Sequence, residues 1–509
     1  MNFNRSKNTL RNIVSGFINC LINLVVPFLL RTVMIKTIGV EYLGLSSLFT
    51  SILNVLNLSE LGFGTAMVYC MYRPIAEGDK VTVCSLLKFY KSIYTVISIF
   101  IAGVGLGLLP FLDQLIAGEI PEGISIYVVY LIFLCNTVSS YAMLAYRNSI
   151  LIVNQRNDVS TNVQSVLRIV LYSLQFLFLI LFKNYYLYII FTPILTILTN
   201  LITAYYVKKM YPQYVCMGRL NVHMIKQICA KALGLMGGKI SSVVLNSADN
   251  IVLSSALGLT VVAIYNNYYY VVSSLTLFVA MVFSSMTAGL GNSLIVESKE
   301  KNYNDFKVLF FTNNWLISWC SICMLCLYQP FMELWMGKDY LFPFSTVILF
   351  SIYFYVYLIQ RVANTYKDAA GLWWDDLKRS IVANVFNVIG NIVLVRIWGV
   401  NGVIISTIIS LGCITLPWMT SVVIHKIFNR GTKEYYCRLG MYSILLVIVG
   451  TLTLYITRLI PFAGYGGFVL KGMICIIIPN MIYLVVFHRT NEFIYFRNKL
   501  KQIITRRKN

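Results

Sequence analysis

The sequence predicts an all-α integral membrane protein. It would have about 14 transmembrane helices, in two parallel six-helix lobes plus two C-terminal helices, with both termini cytoplasmic. Three observations predict it. Apolar runs of roughly 18 residues or more recur from end to end. Lys and Arg crowd into alternate loops, and one half of the chain resembles the other.

The chain has 509 residues, of which 58% are hydrophobic and only 12% charged. A soluble domain carries about twice that charge. Each apolar run can cross a hydrocarbon core of ~30 Å. No water is available at that depth, so backbone groups must pair inside each segment, and helices follow. The short alternating strands of a membrane barrel are not seen in the sequence.

The expected spans run near 12–36, 43–71, 89–112, 124–146, 165–182 and 186–207, then 233–257, 260–290, 308–329, 342–364, 380–396 and 401–423, and finally 439–460 and 466–487. The first is too long for a signal-peptide core and lacks a small-residue cleavage site, so it reads as a span. With both ends inside, the inner segments and the inner ends of the spans hold 33 of the 41 Lys and Arg. The outer loops hold five: Lys36, Lys183, Lys338, Arg396 and Arg458. That asymmetry is the positive-inside bias, and it favours an even number of spans. The net charge of +22 is therefore topology and contact with anionic lipid rather than nucleic-acid binding. The loops are too short to hold a soluble catalytic domain.

The two halves align at an offset of about 219 residues. Gly39 falls on Gly258, Lys80 and Lys88 fall on Lys299 and Lys307, and Tyr146 lies one residue out of step with Tyr366. Both halves start inside, so the repeat is parallel, and transporters are commonly built this way. It divides the chain into a lobe at 1–210, a lobe at 211–430, and two extra helices with a basic tail at 431–509.

Polar residues inside a bilayer are costly and face a cavity or a partner helix. The first span carries Gly16, Asn19 and Asn23 on one face, then Pro27, placed to kink it, and Arg31. The second adds Ser47, Ser51 and Asn54, with Glu60 towards the inner side. The fifth carries Ser165, Arg168, Tyr172 and Gln175, which align with Asn384, Asn387, Asn391 and Leu394 of the eleventh. On the seventh, Lys239, Ser242, Asn246, Asp249 and Asn250 share a face, and the eighth opens with Tyr265 to Tyr270. The tenth carries Tyr353, Tyr357, Gln360 and Asn364.

Each single Asn or Ser also reads as interhelical glue, and each Tyr as part of an interfacial belt. As a set, the stripes favour a hydrogen-bonding path. Tyr faces and amides suit sugar rings, and Arg31, Lys239 and Arg168 suit a phosphate or diphosphate. Arg31 and Arg361 alternatively snorkel to headgroups.

Other motifs carry less. Cys320, Cys323 and Cys326 lie inside an apolar helix with no fourth ligand, so they read as packing rather than a metal site. Gly103, Gly105 and Gly107 sit mid-span and read as helix packing. Asp375 and Asp376 in WWDDLKR read as a solvated loop face, the three His are scattered, and no Walker A sequence occurs. No cofactor or metal and no enzymatic activity is expected.

The stretch from Ile38 to Lys80 (IGVEYLGLSSLF…RPIAEGDK) resembles the signature after the first span of bacterial polysaccharide repeat-unit flippases. Asp249 to Val271 (DNIVLSSALGLTVVAIYNNYYYV) is similar to their second half, and Tyr366 to Ser410 to their region around the eleventh span. The resemblance implies the multidrug/oligosaccharidyl-lipid/polysaccharide exporter superfamily. It implies a cargo of undecaprenyl-diphosphate-linked oligosaccharide, moved to the outer leaflet of the bacterial cytoplasmic membrane for capsule or exopolysaccharide assembly. It further implies alternating access through a cationic inter-lobe cavity lined by Arg31, Lys239, Arg168, Asn23, Asn246, Asn250, Tyr357, Gln360 and Asn387. Coupling to protons or sodium is implied for some relatives, with Glu60 and Asp249 the candidates here. Membrane lipids, a polysaccharide polymerase and other assembly proteins are the implied partners. The rival readings are a lipid II flippase, a multidrug or cation exporter, and a membrane polymerase. A polymerase would carry a large outer loop with Arg and His, which this sequence lacks.

Overall fold

A computed structural model describes residues 5–57, 63–116, 121, 123–284, 290, 293–294, 296–460, 464–495 and 497–498. Glu60 lies outside the described residues, as do the side chains of 231–242 and 244–246, Lys239 and Asn246 among them. No strand occurs among the described residues. Ten described helices are long and apolar enough to cross a membrane. They become eleven if the pair Ile126–Ala142 and Ala145–Val153, bent by 44°, is one span. The predicted span at 43–71 corresponds to two helices, Glu41–Leu56 and Phe63–Glu77.

The chain forms two compact units, Met1–Ala263 and Ile264–Asn509. The first contains α1 (Arg5–Thr37), α2 (Glu41–Leu56), α3 (Phe63–Glu77), α4 (Lys80–Gly107), α5 (Ile126–Ala142), α6 (Asn148–Val153), α7 (Asn157–Phe182), α8 (Tyr185–Met210) and α9 (Val222–Leu257). Here α1 lies along α7, α7 along α8, α8 against α5, and α9 against α2 and α3. Gly44 permits a close approach of α2 to the turn that follows α9. A Cβ there would overlap the backbone carbonyl of Leu259, so the absent side chain lets the two backbones touch. The repeat by itself groups α9 with the second half, whereas its packing joins it to the first unit.

The second unit contains most of α10 (Leu259–Ser284), then α11 (Lys299–Met336), α12 (Phe344–Ile359), α13 (Arg361–Ala369), α14 (Trp373–Trp398), α15 (Val400–Phe428), α16 (Lys433–Arg458) and α17 (Gly464–Phe487). Its centre is α11, whose 38 residues extend roughly 57 Å at 1.5 Å per residue. The two helices beyond the repeat dock on it. Phe310 meets Tyr435 of α16 at 4.6 Å, and the indoles of Trp315 and Trp319 donate to Asn480 Oδ1 and the Cys475 carbonyl of α17 at 2.9 and 3.0 Å. Burying polar tips of large apolar rings against apolar helices is how such a joint holds without water.

The sequence repeat is visible in the backbone. Gly39 and Gly258 both take positive φ, +117° and +88°, at the turns that open α2 and α10. Residues Glu41 and Thr260, the same 219 positions apart, hydrogen bond to each other at 3.4 Å. The matching helices α4 and α11 begin alike. Asp79 caps α4 by accepting from the Thr82 amide at 3.0 Å, and Ser298 caps α11 by accepting from the Lys301 amide at 3.3 Å. Hydrogen bonding from Thr82 holds the Asp79 carboxyl below the usual carboxylate range.

Two expectations about motifs resolve differently. The cysteines of α11 are free thiols packed in the helix core, with Cys320 and Cys326 buried. Of the three glycines near the end of α4, only Gly105 packs against a neighbour, where a Cβ would overlap Leu134. Gly103 and Gly107 face open space.

Candidate functional site

The polar face of α1 meets the polar face of α7. Asn19 donates to Ser165 Oγ at 2.9 Å, and Asn23 donates to both oxygens of Asn19 at 2.7 Å. Arg168 in turn donates through its guanidinium to Asn23 Oδ1. Pro27 lies four residues beyond Asn23 inside the continuous helix α1. Having no N–H, it leaves the Asn23 carbonyl without its usual helical donor. The sequence pattern thus creates a spare acceptor next to an arginine.

Arg168 is half-buried and bonds to a neutral amide, and among the described residues it makes no ion pair. A guanidinium carries five donors and cannot lose its charge. Its remaining donors and its uncompensated charge suit an anionic oxygen, bidentate phosphate in particular. Arg31 lies eight residues beyond Asn23, roughly 12 Å along the axis. It is an electrostatic neighbour of Tyr188 on α8, as Arg168 is of Tyr172 on α7. Gln175 closes the stripe by donating to the Tyr188 carbonyl at 3.0 Å and to Thr192 Oγ1 at 3.3 Å. Tyr188 was not among the residues singled out in the sequence; one Tyr of three in the run YYLYII carries no periodic signal.

The first unit holds a second polar contact. Asn250 of α9 is buried and donates to Ser51 of α2 at 2.8 Å. Asp249 beside it is also buried.

In the second unit, Asn387 of α14 is fully buried. It donates to Thr407 Oγ1 on α15 at 2.9 Å, and its carbonyl accepts from Ser406 Oγ at 3.1 Å. These bonds hold α14 to α15. Tyr357 and Gln360 sit at the end of α12: Tyr357 is exposed and stacks on Tyr353 with centroids 5.8 Å apart, while Gln360 is buried. The structure therefore joins Asn23 to Arg168 and groups Arg31 with them on one helix pair. Asn250, Asn387 and the Tyr357–Gln360 pair occupy other places.

One reading is corrected. Asp376 of WWDDLKR is not on a solvated face. It is buried, and it accepts from Lys367 Nζ at 2.9 Å and from Arg379 NH2 at 2.8 Å. Lys367 also pairs with Asp368 at 3.4 Å, so two carboxylates balance two cations. A buried carboxylate needs such compensation to stay ionised. The first unit has a counterpart: Arg156 pairs with Asp158 at 3.0 Å, and Asn12 of α1 accepts from the Asp158 amide at 2.7 Å. The available signal was opposite charge at i and i+3 across Asp376 and Arg379.

The profile of the polysaccharide biosynthesis protein family matches residues 9–287, more than half of the chain. The chain belongs to that family. The matched region contains the whole α1–α7 face and the Asn250–Ser51 contact. No curated protein matches the chain in a sequence comparison. Several solved structures share its fold. It is similar to the lipid II flippase MurJ in an inward closed conformation, with a TM-score of 0.66 and 16% identity over 94% of this chain and 98% of that one. It is similar to an inward-facing multidrug resistance MATE family transporter of the MOP superfamily, with a TM-score of 0.61 and 14% identity over 82% and 98%. A MOP superfamily transporter from Pyrococcus furiosus, described as having a binding pocket of reversed polarity, aligns with a TM-score of 0.51 and 13% identity over 84% and 97%. These likenesses establish a multi-pass helical membrane fold.

Proposed function

We propose that the chain is a flippase for undecaprenyl-diphosphate-linked oligosaccharide repeat units, working in the bacterial cytoplasmic membrane for capsule or exopolysaccharide assembly. It spans the bilayer 14 times with both termini cytoplasmic and works by alternating access. The observation that carries this reading is Arg168: a half-buried membrane arginine whose bond among the described residues goes to the neutral Asn23. Such a charge is retained in a bilayer for a partner, and a diphosphate is the anion that a lipid-linked glycan brings. Arg31 and Lys239 supply further positive charge, and Asn246 and Asn250 supply amides. Family membership supports a role in polysaccharide assembly, and the shared fold with MurJ supports a lipid-linked cargo. Asp249 is the coupling carboxylate within the described residues, for a proton or a sodium ion; Glu60 is the other candidate. A polysaccharide polymerase that consumes the flipped unit is the natural assembly partner.

The test is deletion of the gene in its host, followed by analysis of lipid-linked oligosaccharides in each leaflet. The expected result is a complete repeat unit accumulating on the cytoplasmic side, with surface polymer lost. Accumulation of lipid II would assign the cargo to peptidoglycan. Intact surface polymer with new sensitivity to cationic drugs would replace the flippase reading with an exporter.

A further inference from the structure

The second unit carries a stack of aromatic rings that the α1–α7 face does not explain. Tyr265 and Tyr269 of α10 are stacked, with centroids 6.0 Å apart and planes 10° apart. Tyr269 meets Tyr353 of α12 at 6.2 Å, with their hydroxyls 3.4 Å apart. Tyr353 stacks on Tyr357 at 5.8 Å and 18°. Tyr265 and Tyr353 are buried, while Tyr357 at the end of the series is 39% exposed. The enclosed rings fix the position of the open one.

Just past Tyr357, at the junction of α12 and α13, lie two polar groups that the described residues leave unsatisfied. Gln360 is only 5% exposed, and its Oε1 is buried without a hydrogen-bond partner among the described residues. The Nε of Arg361 is likewise buried and has no partner among the described residues, while the far end of its guanidinium reaches the Ala280 carbonyl of α10 at 3.5 Å. A buried acceptor and a buried donor left open on adjacent residues are costly, and native structures keep few of them without a role. A tyrosine of an interfacial belt is different. It holds its hydroxyl towards headgroups and needs neither a stacked support nor an unpaired amide behind it.

We propose that Tyr357, backed by Tyr353 and Tyr269, forms with Gln360 and Arg361 a carbohydrate subsite for one pyranose ring of the cargo. It rests on the flippase reading above. The C–H face of a pyranose packs on a fixed aromatic face. Its hydroxyls both donate and accept, so one can donate a hydrogen bond to Gln360 Oε1 while a neighbour accepts one from the Arg361 Nε–H. A cationic ligand would also favour the ring face, but the charge of Arg361 repels it. A flat apolar ligand would stack and leave donor and acceptor unpaired. The subsite takes a neutral or acidic sugar, and its contacts are few enough to release it.

The purified full-length protein in lipid nanodiscs tests this with two probes: undecaprenyl diphosphate, and the same lipid bearing a disaccharide. The glycosylated lipid should bind about five- to ten-fold more tightly than the bare one. Tyr357→Leu and Gln360→Leu should each erase that preference while leaving the bare-lipid affinity unchanged, which also reports an intact fold. Tyr357→Phe, which keeps the ring face, should retain it. Equal binding of both lipids by the unaltered protein, or a preference that survives Tyr357→Leu and Gln360→Leu, would overturn the subsite alone. Binding of neither lipid would overturn the flippase reading and the subsite with it.

Discussion

The helices α7 and α14 occupy the same place in the internal repeat, yet their polar stripes have opposite fates. On α7 the stripe is charged and half-buried, and Arg168 reaches a neutral amide on α1. On α14 three of the four aligned positions are asparagines. Asn387 and Asn391 are fully buried, and Asn387 is consumed by Thr407 and Ser406 of α15. Below it, Ser410 donates to the Ala383 carbonyl at 2.8 Å and closes the same seam. A stripe of small amides facing small hydroxyls lets two helices approach closely and spends Asn387 on bonds within the seam. A stripe with an arginine cannot close in that way, because no acidic partner answers it within the described residues. Periodicity places a polar residue on an inward face. The residue type, and what the facing helix offers it, decides whether the face is glue or site.

The sharpest way to break this comparison is to exchange the two outcomes. Arg168→Ala should lower transport by about a hundred-fold, the order seen when one member of a buried charged contact is removed. The variant should still fold, since among the described residues the guanidinium bonds to Asn23 alone. Asn387→Leu should do the reverse: it should unfold at lower temperature in detergent, with transport per folded molecule within about two-fold of normal. Leaflet-resolved assays of lipid-linked oligosaccharide, normalised to folded protein, check both. Equal transport losses would mean that Asn387 contacts cargo and that the seam with α15 opens during the cycle.

The comparison extends to the ends of the same helices. Asp376, at the start of α14, answers Lys367 and Arg379, all three buried. Asp158, at the start of α7, answers an Arg156 that is 26% exposed. Removing a carboxylate that neutralises buried cations costs about 3–5 kcal/mol, so Asp376→Asn should be severely destabilising. Asp158→Asn should cost less, about 1.5–3 kcal/mol, because water can still reach the guanidinium it leaves behind. Thermal or denaturant unfolding of the two purified variants ranks them. The opposite order would mean that the Asn12 contact to the Asp158 backbone depends on the carboxylate.

These contrasts show which features were legible in the sequence. The helices and the repeat follow from composition and spacing, because the bilayer forces the backbone to pair within each segment. The repeat predicted the paired turns at Gly39 and Gly258 and the matched starts of α4 and α11. The α1–α7 face was legible because Asn19, Asn23, Ser165 and Arg168 recur at helical spacing. The Asp376 cluster was not. Its members lie on two short segments, and a charge in a loop reads as solvated until tertiary packing covers it. Nor did the pattern separate Asn387 from Asn23, since both are inward amides and differ only in what faces them. The placement of α9 against α2 and α3 was hidden for a related reason: a repeat specifies which helices are alike and leaves their neighbours unspecified.

The smallest effects concern how closely the helices approach. Gly402 of α15 lies where a Cβ would overlap the Leu394 carbonyl of α14, and Gly390 of α14 where it would overlap Ser406. The Asn387 seam depends on this closeness. Gly402→Ala meets backbone, which cannot rotate away, and should cost about 1–3 kcal/mol. Gly390→Ala meets a serine side chain held by its bond to the Asn387 carbonyl, and should cost less. Gly103→Ala on α4 meets nothing within 4 Å. It should be neutral or stabilising by up to about 1 kcal/mol, since alanine favours the helix. Unfolding midpoints of the three variants should fall in that order. If Gly402→Ala matched Gly103→Ala, the α14–α15 seam would have room to spare, and its asparagines would have no more claim to be glue than those of α1.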